Sequence, residues 1–174
     1  MEKMSLIYVE KTGHVLGAFT RTADAESEPA AEAVVGTALV LRDPDTGKQL
    51  FSVGSQHLKI KNVDRNDDVI LSYRDYVLED DAPAEKGTLT FASVVTYVKP
   101  TLTISLATSP AEDIKVLVQI EDGTSQPITV TVEVAPVTTA PATGTTIVTL
   151  APGTYNTLAL VPGYRALIGT IVVP

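Results

Sequence analysis

The sequence contains no cysteine and no tryptophan. The first absence excludes a disulfide framework, a thiolate zinc site and a cysteine nucleophile. Aromatic residues make up only 5% of the chain, which leaves little material for a platform on which sugar rings stack. No apolar run approaches the roughly 18 to 20 residues that a membrane helix needs, so no membrane insertion is expected. The first ten residues, Met1 to Glu10, alternate polar and apolar side chains and lack the long apolar stretch of a signal peptide. The expected compartment is therefore the cytoplasm, with inclusion in a particle released from the cell as an extension of that reading. Basic residues are scarce as well: 13 against 21 acidic, for a formal charge of −8. Sequence-independent nucleic-acid binding, which replaces counterions with Lys and Arg, is not expected on such a surface. Anionic membrane surfaces are disfavoured for the same reason.

What the chain does contain is 44% apolar residues over 174 positions, enough to core one domain or two small ones. The charge is unevenly spread. Residues 101–174 carry only Lys115 and Arg165 against Glu112, Asp113, Glu121, Asp122 and Glu133, with 15 threonines among them. A weakly charged Thr/Val/Ala surface is either the plain outer face of a small sandwich or a surface that a neighbour covers, because charge is depleted at interface cores.

Alternation with period two and β-branched residues dominate the pattern. Leu6 to Glu10 and His14 to Thr20 read as strands around Lys11-Thr12-Gly13, where glycine supplies a positive φ. Residues 23–33, rich in Ala and Glu, form the one helical candidate or a loop. Val34 to Leu41 and Gln49 to Val53 read as strands around a turn at Arg42 to Lys48, in which Pro44 and Gly47 have defined places. Gln56 to Val63, Val69 to Leu78 and Thr88 to Lys99 read as further strands, with Glu79 to Lys86 an acidic loop. Pro100 marks the expected boundary between a domain of residues 1–99 and one of residues 100–174. Beyond it, Thr101 to Ala107, Ile114 to Ile120, Ile128 to Val134, Thr145 to Leu150, Thr154 to Val161 and Ala166 to Val173 are separated by turn residues at sandwich-like intervals. The expected fold class is all-β: two small antiparallel β domains.

In the second half, Pro152-Gly153-Thr154-Tyr155 is followed by Pro162-Gly163-Tyr164, with Ile120-Glu121-Asp122-Gly123 and Pro127-Ile128 upstream. This pattern resembles the carboxypeptidase regulatory-like domains, small transthyretin-like sandwiches, over roughly residues 101–174. The resemblance implies a transthyretin/Ig-like sandwich with an accessory, non-catalytic role, and it transfers no catalytic residue. Leu158 and Leu160 fall out of step with Tyr155, so that strand needs a bulge or burial on both faces.

No constellation for chemistry stands out. His14 and His57 lie in contexts that read as solvated, and neither has a second histidine at ligand spacing. Asp64, Asn66 and Asp68 open like a calcium loop, yet Val69 occupies the position that requires glycine. No catalytic residue, metal or cofactor is assigned, and the chain is expected not to be an enzyme. Tyrosine and arginine are favoured contact anchors, which makes Tyr73, Arg74, Tyr76, Tyr155 and Tyr164 the candidate interface residues. The expected function is a structural or interaction subunit of a larger assembly, partnered by other protein subunits or by its own copies. A phage-tail-like or contractile-injection particle and a capsid decoration layer are the assemblies such a subunit suits. The alternative is a monomeric β-sandwich binding module for carbohydrate or peptide.

Overall fold

A computed structural model describes residues 2–20, 27–42, 49–87, 94–123 and 127–174. The chain is mostly β, in several small antiparallel sheets. It divides into two compact units, Met1–Lys86 and Gly87–Pro174. The division thus falls before the boundary expected at Pro100. The reason is local: Lys99 and Pro100 form the turn of a hairpin whose strands pair from Val98–Thr101 to Val94–Ser105. The proline does end a strand, but the next strand folds back onto it.

In the first unit, β1 (Lys3–Val9) is the middle strand of a sheet with β2 (Val15–Thr20) and, from later in the chain, residues Leu58–Asp64. Met4 and Leu6 point to a cluster with Val15, Val63 and Val69, while Ile7 and Val9 are buried on the opposite face. Burial on both faces leaves Ser5 without water, and its hydroxyl donates to Asn62 Oδ1 at 2.7 Å, as a buried polar group requires. The β1–β2 turn follows expectation: Gly13 has φ +70°, and its N–H donates to the Val9 carbonyl at 2.8 Å. A Cβ there would also lie 2.6 Å from the Leu78 carbonyl oxygen, so both conformation and space require glycine.

A short helix α1 (Ala31–Val35) replaces the first part of the strand expected at 34–41. Gly36, at φ +70°, ends it by donating to the Glu32 carbonyl. The strand itself, β3 (Ala38–Arg42), pairs with β4 (Gln49–Gly54). The expected turn between them lies, over residues 43–48, outside the described residues. After a 3-10 turn at Ser55–His57 comes β5 (Leu58–Asp64).

The strand expected at Val69 to Leu78 is overturned over its first half. Residues Asp67–Ser72 form α2, followed by a 3-10 turn at Tyr73–Asp75. Asn66 Oδ1 accepts from the Asp68 and Val69 N–H groups at 3.0 and 3.4 Å. Asp67 and Asp68 occupy the first turn, where negative charge suits the helix dipole. Only β6 (Tyr76–Glu79) is strand, and it pairs with β7 (Ala82–Glu85). The expected acidic loop is therefore mostly a hairpin. Its two central residues, Asp80 and Asp81, both have positive φ, 46° and 65°, as a tight two-residue turn demands.

The second unit is a two-sheet sandwich. Its strands are β8 (Val94–Val98), β9 (Thr101–Leu106), β10 (Ile114–Glu121), β11 (Ile128–Val134), β12 (Ala142–Ile147), β13 (Gly153–Leu160) and β14 (Leu167–Val173). One sheet has the order β11-β10-β13-β14 and the other β12-β9-β8. Residues 88–93 of the long strand expected before Pro100 lie outside the described residues. Alternate residues meet in one core: Leu102, Ile104 and Leu106 from β9 face Val116, Val118 and Ile120 from β10, with Val132, Val134, Tyr155, Ala159, Ile171 and Val173. The sandwich also closes along its sides, since β11 runs beside β12 and β14 beside β8. At the first of these sides a Cβ on Gly144 would overlap the Glu133 carbonyl oxygen and press on Val132 and Val134. Leu158 and Leu160 are buried together with Thr157 and Ala159; burial of both faces accounts for the broken alternation after Tyr155.

Candidate functional site

Five residues are expected at an interface, and the structure treats them differently. Tyr73 and Tyr76 are half-buried, their rings against the cluster of Met4, Leu6 and Val69. They do not share one strand: Tyr73 belongs to the 3-10 turn and Tyr76 begins β6. Arg74 is exposed, with its guanidinium carbon 5.8 Å from the Tyr73 ring centre. Its Nη2 donates to the Arg42 carbonyl at 3.4 Å. Tyr155 is core, 8% exposed, with its hydroxyl donating to the Ala151 carbonyl at 3.0 Å. Tyr164 is half-buried against the sandwich core and covers Gly87, with which it forms a short parallel bridge. The two groups of tyrosines thus belong to separate units, and Arg74 is the one exposed member of the set.

The histidines are also placed differently from expectation. His14 is fully buried, and its backbone forms an isolated antiparallel bridge to Val77. Its Nδ1 lies 2.9 Å from Thr12 Oγ1. His57 is half-buried in the 3-10 turn, and burial, reinforced by the charge of Lys11, lowers its pKa. Of the calcium-like run, Asn66 is spent on capping α2, and Asp64, which opens it, is held by Lys3 at 2.6 Å. That hydrogen bond and charge lower the Asp64 pKa. Among the described residues no group of three or more His, Asp or Glu could hold a metal ion.

The first unit's surface is laced with ion pairs: Lys3–Asp64 at 2.6 Å, Lys61–Asp81 at 2.8 Å and Arg65–Asp67 at 2.8 Å. The outward face of β12-β9-β8 is its opposite. The register stacks the outward residues in rows: Ile147, Thr101 and Val98; then Thr145, Thr103 and Thr96; then Thr143 beside Ser105. None of these carries a charge. Val98 is 77% exposed and Ile147 76%. On β14, an edge strand of the other sheet, Ile168 is 64% and Val172 69% exposed with Thr170 between them. The sequence signal was present as Thr101-x-Thr103-x-Ser105 and Thr143-x-Thr145-x-Ile147. Only the pairing shows that these runs lie side by side and face outward.

No protein-family model, no curated protein and no solved structure matches the chain. Among the described residues no helix is long and apolar enough to cross a membrane.

Proposed function

We propose that the protein is a non-catalytic structural subunit of a larger protein assembly, and that the outward face of β12-β9-β8 is where a neighbouring subunit is seated. The observation that carries this reading is the row of exposed aliphatic residues, Val98 and Ile147, within a surface of threonine and serine that holds no charge. A lone exposed valine is ordinary, but aliphatic residues gathered on an uncharged sheet face suit a protein contact. The contact is made by the face and not by strand edges, since both β8 and β12 are flanked on each side by strands of their own unit. A phage-tail-like or contractile-injection particle, or a capsid decoration layer, is the class of assembly that a small cysteine-free sandwich subunit suits.

The test is to isolate the tagged chain from the cells that make it and to measure the mass of the species that contains it. A particle far above 18.4 kDa, with the chain in fixed stoichiometry, is the expected result. Recovery only as the free chain would overturn the reading. The alternative of a carbohydrate-binding module wants exposed aromatic rings. The second unit's Tyr97 and Tyr155 instead have their hydroxyls bound to backbone carbonyls, Tyr97 to Val148 at 3.0 Å and Tyr155 to Ala151.

A further inference from the structure

We infer that Asp122 is a site of spontaneous covalent modification, at which the chain passes through a cyclic imide to an isoaspartyl linkage. The site lies in the turn that follows β10 and is separate from the sheet face assigned to a neighbouring subunit.

The reaction makes few demands. The backbone nitrogen of the next residue attacks the aspartyl Cγ. An N–Cγ bond forms, the Cγ–OH bond breaks, and the hydroxyl leaves as water with the proton of that nitrogen. Solvent water then opens the imide ring. Addition at Cγ restores aspartate. Addition at the main-chain carbonyl carbon breaks its bond to nitrogen and leads the chain through the side chain instead. The water lost on closing is regained on opening, so no other reactant is needed. A side chain on the next residue hinders the attack, and so does a ladder or helix that fixes both peptide groups.

Asp122 is the one aspartate or asparagine of the sequence that glycine follows. The turn itself calls for that glycine, since Gly123 has φ +78°, a conformation that glycine adopts without steric cost. The same missing Cβ leaves the nitrogen unshielded. A Cβ built there would meet nothing within 4 Å, so the ring and the attacking water have room. Asp122 and Gly123 are both exposed, and both lie beyond β10, which ends at Glu121. The other candidates are held. Asn62 stands inside β5, accepts from the Ser5 hydroxyl and precedes Val63. Asn66 caps α2 and precedes Asp67. Asn156 is paired on both sides within its sheet, to Glu121 and to Thr170. Asp113 precedes the β-branched Ile114.

The placement also sets the consequence. The ladder between β10 and β11 ends at the pair Ile120–Ile128, so the extra main-chain carbon of an isoaspartyl link enters outside it. No strand has to change register, and an exposed turn tolerates the insertion. The modified chain therefore keeps its fold.

The experiment is to incubate the purified full chain at neutral pH for weeks and to follow residue 122 in tryptic digests. Beyond residue 100 the basic residues are Lys115 and Arg165, so residues 116–165 are released as one peptide. Electron-transfer fragmentation distinguishes aspartyl from isoaspartyl bonds, and an isoaspartyl methyltransferase supplied with S-adenosylmethionine counts the product independently. Isoaspartate should accumulate at residue 122 well above any other position, with circular dichroism and cooperative melting unchanged. In Asp122→Glu the corresponding ring is larger and closes far more slowly, so methyl acceptance should stay at the level of fresh protein. A synthetic peptide of residues 116–130, aged alongside, reports the reaction without the fold. Conversion in the peptide but not in the folded chain would overturn the inference, because the turn would then protect the bond. So would isoaspartate no higher at residue 122 than elsewhere, or an Asp122→Glu chain that gains methyl acceptance as fast as its parent.

Discussion

Gly144 has little beside it in the sequence to mark it, yet it is the position where β12 passes closest to β11. Its missing Cβ leaves room for the Glu133 carbonyl oxygen and the Val132 and Val134 side chains. Gly144→Ala forces backbone apart in a closed core, an overpacking that costs about 1–3 kcal/mol; urea denaturation should show the midpoint falling with the slope unchanged. Asn66 supplies a side-chain oxygen to two N–H groups of α2, so Asn66→Ala should cost about 1 kcal/mol in the same measurement. His57 links stability to pH. Burial first, and Lys11 second, disfavour its imidazolium in the folded chain, so the unfolded chain binds that proton more readily. Its contribution is complete above the ordinary histidine value of about 6.5 and is lost as the pH falls through and below it. The denaturation midpoint should therefore fall between about pH 7.5 and 5.5, and His57→Gln should fall less. Equal losses in the two proteins would exclude His57 as a source.

At the scale of elements, strand existence was legible wherever one face is buried and the other wet, as in β9 with its strict alternation of half-buried and buried residues. It failed at residues 69–75, where Val69, Ile70 and Leu71 look like a strand by composition. The outcome there was decided by Asn66 and the two aspartates after it, whose capping chemistry competes with β propensity. The two structures predict different side chains at the surface. In the helix Val69 is fully buried and Leu71 is 81% exposed. Val69→Ala should thus cost about 2 kcal/mol, while Leu71→Ser should stay within about 0.5 kcal/mol, as thermal or chemical unfolding will measure. A large loss at Leu71 would contradict the helix. Positive φ at Asp80 and Asp81 also escaped reading, because a left-handed pair without glycine or asparagine carries no strong signal.

For the whole molecule, two domains were expected on either side of Pro100, from the proline and the regular strand spacing beyond it. The division itself, at Lys86 and Gly87, was not. Lys86 is anchored in the first unit, its N–H on the Asp75 carbonyl and its Nζ on the Arg74 carbonyl at 2.7 Å. Gly87 is anchored in the second, between Gly163 and Arg165. The second unit encloses its own apolar core, so residues 87–174 expressed alone should give a single cooperative thermal transition. A broad, uncooperative melt would mean that this core does not suffice.

The sequence by itself determined the β character, the absence of cysteine chemistry, the acidity and the positions of most strands of the second unit, because each is a local or compositional property. The tertiary structure alone decided which strands are neighbours. That decision buried Tyr155 and His14, gave β8 to the second unit, and brought Val98, Thr101 and Ile147 into one exposed row. Alternation tells which side of a strand is apolar, but the partner across the hydrogen bonds is chosen by packing between residues far apart in the chain.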